Sequence, residues 1–123
     1  MELELEVLPW ELSVCRIGSM EDVDLDADVY FIGKTDEELS LVCRTEGVPA
    51  DAEKREDGWR GFRVRGELDF SLVGILASLS GVLAEAGISL FALSTWNTDY
   101  ILVKKEQFGR AADALRAAGY RVV

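Results

Sequence analysis

Between Leu72 and Ala86 the apolar residues recur at three- and four-residue steps: Leu72, Ile75, Leu76, Leu79, Val82, Leu83 and Ala86. That period puts them all on one face of a helix of about four turns. Asp69 or Ser71 can cap its start, and Gly87 is placed to end it in the left-handed conformation. A helix with one apolar face has to bury that face against another layer, and the flanking sequence supplies one. Phe62 and Val64 alternate with Arg63 and Arg65, as in a half-buried strand. Ile88 to Ser94 and Tyr100 to Val103 read as two more strands, joined by the hairpin loop Thr95-Trp96-Asn97-Thr98-Asp99. Phe108, Ala111, Ala112 and Leu115 form a second helical stripe, closed by Gly119, and Tyr120 to Val123 reads as a short last strand. From Trp59 onward the order is βαββαβ. This predicts an α+β, ferredoxin-like antiparallel sheet with both helices on one face.

The N-terminal half reads as a shortened copy. Leu12 to Ile17, Val29 to Ile32 and Leu39 to Cys43 look like strands, with Gly33 to Glu38 as a hairpin loop. Displaced by 61 positions, Tyr30-Phe31-Ile32 falls on Phe91-Ala92-Leu93, Leu41-Val42 on Leu102-Val103, and Glu38 on Asp99. The echo predicts two similar sheets, the first degenerate, with residues 1–58 as one domain and 59–123 as the other. Only Gly18 to Asp28 separates the first two strands of the first copy, too little for a long helix. Val48-Pro49-Ala50-Asp51 reads as a turn, and Ala52 to Asp57 as a charged edge segment.

Several functions are excluded by composition. Lys and Arg number 13 against 23 Asp and Glu, a net charge of −10 over 123 residues. That field repels phosphate backbones and anionic lipid, so neither nucleic acid nor a membrane surface is an expected partner. The chain has no histidine, which removes Ser-His-Asp and Cys-His catalysis and most zinc sites. Asp22-Val23-Asp24-Leu25-Asp26 fails as a calcium loop, since its sixth and twelfth positions are Ala27 and Gly33 rather than Gly and Glu. Gly58-Trp59-Arg60-Gly61 lacks the spacing and lysine of a phosphate loop, and Ser78 on the helix lacks a nucleophile-elbow setting. No cofactor, metal or catalytic residue is expected. Met1-Glu2-Leu3-Glu4 lacks the character of a signal peptide. The charge-free run from Phe70 to Ala84 is too short for a bilayer, and Cys15 and Cys43 have no CxxC spacing. A cytoplasmic protein with two buried free thiols is expected.

One cluster remains. Phe70-Ser71-Leu72-Val73-Gly74 opens the first helix, where unpaired N–H groups and the helix dipole favour an anion. Gly74 in the first turn would let a ligand touch the backbone. The hairpin is expected at the opposite end of the sheet from that helix start, so Thr95, Asn97 and Asp99 would meet the helix of a partner copy. Together they offer a carboxylate for an ammonium and N–H donors for a carboxylate, which is what a zwitterionic amino acid needs. The residues also admit a structural reading, with Gly74 serving close packing and Asp99 serving its own turn.

Gly66 to Ala77, Gly87 to Thr95 and Thr98 to Val103 together resemble the ACT domain family, in particular small bacterial ACT proteins related to the CASTOR arginine sensors. The likeness is strong from Trp59 to Tyr120 and looser over Leu12 to Pro49. It implies a non-enzymatic regulatory protein that binds an amino acid between paired copies, as a homodimer or larger assembly. Carried over residue by residue, it singles out Ser71, Val73, Gly74, Thr95 and Asp99. Trp96 stands where the family pattern has Phe or Tyr. The alternative is the same fold used without a ligand, its acidic face meeting a basic partner.

Overall fold

Pairing of strands far apart in sequence organises the molecule. In the computed structural model, which describes residues 3–65 and 74–123, the chain divides into two compact units. Trp10–Trp59 form one; Met1–Pro9 and Arg60–Val123 form the other.

The C-terminal unit contains the expected βαββαβ order. It runs through the second part of β5 (Lys54–Val64), α1 (Ile75–Glu85), β6 (Phe91–Ser94), β7 (Asp99–Lys104), α2 (Phe108–Ala117) and β8 (Arg121–Val122). An unforeseen strand joins it: β1 (Glu4–Val7) pairs antiparallel with β5, Leu5 opposite Val64, and parallel with β8, Leu5 opposite Val122. A boundary at residues 58 and 59 would place Met1–Pro9 in the first copy, whereas they lie in this unit. Its core gathers Leu5, Phe62, Val64, Leu79, Leu83, Ile101, Val103, Ala111, Ala112 and Leu115. Phe62 and Phe108 stack 4.6 Å apart and 8° from parallel, and the Arg60 guanidinium lies 5.0 Å from the Phe108 ring centre.

Both helices end as the glycines predict. After α1 the Gly87 N–H donates to Ala84 O and the Ile88 N–H to Leu83 O, with Gly87 at φ +74°. After α2, Gly119 N–H donates to Arg116 O and Tyr120 N–H to Leu115 O. These are paired Schellman bonds, each with a buried leucine three residues inside the helix end. Gly87 and Ile88 are used in this cap, and β6 begins at Phe91, three residues after the expected Ile88.

In the N-terminal unit, β2 (Leu12–Arg16), β3 (Tyr30–Lys34), β4 (Leu39–Arg44) and the start of β5 lie in the order β3-β4-β2-β5, all antiparallel. The charged segment Ala52–Asp57 largely belongs to β5, with Lys54 opposite Arg16. Between β2 and β3 the chain makes turns and no helix. A core of Cys15, Ile17, Leu41 and Cys43 lies on one face of this sheet.

The two hairpins share a register. Lys34 pairs with Leu39 and Ser94 with Asp99. Thr35 N–H donates to Glu38 O and Thr95 N–H to Thr98 O, both at 2.9 Å. The displacement between hairpins is therefore 60, one less than the sequence echo suggested, and Glu38 corresponds to Thr98 rather than to Asp99.

Cys15 and Cys43 are buried free thiols. Burial, helped by the proximity of Cys15, pushes the Cys43 thiol up to about 11 from an ordinary 9.0. The folded state thus holds a proton that the unfolded chain releases near pH 9, so this thiol's contribution is intact below 9 and lost as pH rises towards 11. Cys43→Val, which installs the residue found at the corresponding Val103, should flatten the fall in stability between pH 8 and 10.5. Urea midpoints that fall equally steeply in both proteins would refute this.

Candidate functional site

The β6–β7 hairpin builds the site from its turn outward. Thr95 closes the turn twice, through its N–H and through Oγ1, which lies 3.2 Å from Thr98 O and 3.1 Å from Asn97 Oδ1. Thr98, only 3% exposed, donates its hydroxyl to Val64 O at 2.6 Å. A buried hydroxyl needs such a partner. The bond ties the turn to the last residue of β5.

Asp99 opens β7 opposite Ser94, and the Ser94 hydroxyl donates to Asp99 Oδ1 at 2.6 Å. The carboxylate is half-buried and fixed in direction by its cross-strand neighbour. Trp96 stands at the tip of the turn, 77% exposed.

Gly74 is the N-cap of α1 rather than part of its first turn, at φ +82° and ψ −2°. Its carbonyl accepts the Ser78 N–H at 2.8 Å, the first bond of the helix. Only glycine adopts this left-handed angle readily. A Cβ built there meets nothing within 4 Å among the described residues, and the left-handed angle alone is a backbone requirement for glycine. Ser71 and Val73 lie outside the described residues.

One expectation is overturned. The hairpin was expected at the end of the sheet opposite the start of the first helix, to be completed by a partner copy. The Thr98–Val64 bond places its turn beside the end of β5 from which the chain proceeds towards Gly74 and α1. The reason is strand direction: a crossover through one helix returns the next strand parallel to the first, so the following hairpin shares the helix start's end. The hairpin and the helix entrance of one copy therefore lie at the same end of the sheet.

Ser94 and Thr98 were missed by sequence reasoning. A four-residue loop pairs Ser94 with Asp99 automatically, so fixing the loop length would have found the first. The long-range bond of Thr98 has no local signal. In the N-terminal unit the positions of Ser94 and Asp99 are taken by Lys34 and Leu39, so its hairpin carries no carboxylate at that place. Among the described residues, no helix is long and apolar enough to cross a membrane.

The family model for the ACT domain matches residues 54–117. The cytosolic arginine sensor for mTORC1 subunit 1 of Mus musculus is 39% identical over 59 residues, 47% of this chain. The chain spans 18% of the length of that relative. A structural-genomics protein from Agrobacterium tumefaciens superposes with a TM-score of 0.89 at 28% identity, covering 100% of this chain and 93% of its own. The ligand-free regulatory subunit of aspartate kinase from Thermus thermophilus shares the fold, with a TM-score of 0.67 at 10% identity over 96% of this chain and 99% of its own.

Proposed function

The chain belongs to the ACT domain family, and from that premise we propose that it is a non-enzymatic regulatory protein that binds an amino acid at the hairpin end of its C-terminal unit. The Thr98–Val64 bond carries this reading, because it ties the Asp99 hairpin to the strand end that leads to Gly74. Asp99 recognises the ligand's ammonium group through the carboxylate that Ser94 orients. The backbone at Val73 and Gly74 takes its carboxylate, with Ser71 and Thr95 beside it, and no described residue crowds Gly74. The mouse relative, by its name a sensor of arginine, supports the regulatory class.

A thermal-shift screen of the twenty amino acids should single out one chemical class, because a ligand that binds only the folded state raises its melting temperature. Calorimetric titration with that amino acid then tests the site. A charge-assisted hydrogen bond contributes about 1.5–3 kcal/mol, so Asp99→Asn should weaken binding by about ten- to a hundredfold. Glu38→Gln, in the other hairpin, should leave it unchanged. Equal affinity of Asp99→Asn and wild type would remove the site. A flat thermal screen would favour the ligand-free interaction module instead.

A further inference from the structure

By the common register of the two hairpins, Leu41 and Cys43 of β4 correspond to Ile101 and Val103 of β7. In the C-terminal unit, Ile101 and Val103 share a core with Leu79 and Leu83 of α1. The N-terminal unit has no such helix. Its connection from β2 to β3 sends Val23 towards the Leu41 and Cys43 cluster, and a cavity of about 340 Å³ remains beside it. Drug-sized ligand pockets begin at about 300 Å³.

The chemistry of this cavity is divided. Leu41 and Cys43 are buried in its wall, and Val23, Ala27, Val29 and Tyr30 add further apolar surface. Burial keeps the Cys43 thiol protonated, so that wall is neutral at physiological pH. The exposed rim carries Asp24, Asp28 and Glu46 against the single guanidinium of Arg44. Arg44 leans on Glu46 at 3.0 Å, while its contact with Asp28 is 3.5 Å. The latter is long for a charge-assisted bond, which closes to about 2.8 Å when well made. A neutral floor under an acidic rim selects a molecule with an apolar body and a positive end.

We propose that this cavity is a second ligand site, separate from the Asp99 hairpin, and that it takes a small organic cation of the alkylammonium class. The stem lies along Val23, Ala27, Val29 and Tyr30, above the buried Leu41 and Cys43, on the side of the strand that leucines of α1 cover in the other unit. The ammonium sits at the rim between Asp24 and Asp28. The proposal does not depend on the ligand of the hairpin site, since every residue it uses belongs to the other unit.

The test titrates the full chain with hexylammonium chloride, hexanol and sodium hexanoate, following backbone amide resonances. Hexylammonium should give saturable shifts at Val23, Ala27, Tyr30, Leu41 and Cys43, with an affinity about tenfold or more above that of hexanol, the increment expected of one charge-assisted contact. Hexanoate should give none. Ala27→Trp should remove the shifts by filling the cavity. The exposed double change Asp24→Asn with Asp28→Asn, which leaves the core alone, should lower the affinity to that of hexanol. Equal binding of hexanol and hexylammonium, an unaltered titration in the double variant, or no saturable shift at these residues would each overturn the proposal. Shifts confined to Gly74 and Thr95–Asp99 would overturn it too, while leaving the hairpin site standing.

Discussion

Phe62→Ala should cost about 3–5 kcal/mol of stability, the range for emptying a fully buried aromatic position. Phe62 is 1% exposed in the C-terminal core and stacks on Phe108. Its removal leaves a void beneath the sheet and withdraws one ring from under the Phe108–Arg60 contact. The stack itself accounts for about 0.5–1.5 kcal/mol of that cost; lost burial and the cavity make up the rest. Small domains hold only about 5–15 kcal/mol in total, so the variant should be close to unfolding. Urea denaturation should show a much lower midpoint, and Phe62→Leu should recover more than half of the difference. A loss below about 1 kcal/mol would mean that the core closes over the gap, contrary to a packed interior.

The neighbouring position should fail for the opposite reason. A Cβ at Gly61 would come within 2.8 Å of Leu102 Cδ2, 3.1 Å of Leu8 Cδ1 and 3.6 Å of Ile101 O. Leu8 and Leu102 are both fully buried and have no open side into which to turn. Gly61→Val adds two further methyl groups to that crowding, and overpacking of this kind costs about 1–3 kcal/mol. The upper figure is expected here, despite the preference of valine for strands. In a domain of this size it should lower the melting temperature by roughly 10 °C. An unchanged melting temperature would show that β5 can move away from β7 at Gly61.

The two variants also mark where sequence reasoning succeeds. Phe62 declares itself through alternation with Arg63, and α1 and α2 through their 3.6-residue period and closing glycines. Those signals are local, and so they survive without a structure. β1 is not legible locally although Leu3, Leu5 and Val7 alternate with Glu4 and Glu6, because nothing nearby in sequence pairs with it; Leu5 faces Val64 of β5 and Val122 of β8. Matching apolar letters gives a hairpin displacement one residue too long, because the paired ends Lys34–Leu39 and Ser94–Asp99 set the register. At the site, the residue types of Thr95 and Asp99 were legible. The end of the sheet they occupy follows from the βαβ order, which returns the second strand parallel to the first, whereas the bond from Thr98 to Val64 leaves no local trace in the sequence. Gly74 stands out in the sequence for its missing side chain, and its backbone angle belongs to three dimensions.

The placement of β1 between β5 and β8 also sets an order of events during synthesis. Glu4 is made 117 residues before its neighbour Arg121. Contacts so distant in sequence form late and slow the folding of the whole domain. Until then a strand with apolar Leu3, Leu5 and Val7 waits unpaired, the kind of edge that recruits other chains. Glu4 and Glu6 interrupt that run on its other face, and charge placed in this way keeps a waiting strand apart from its own kind. Once the sheet closes, the same carboxylates meet Arg63, Arg65 and Arg121 across the strands. They guard the nascent chain before they pair in the finished one.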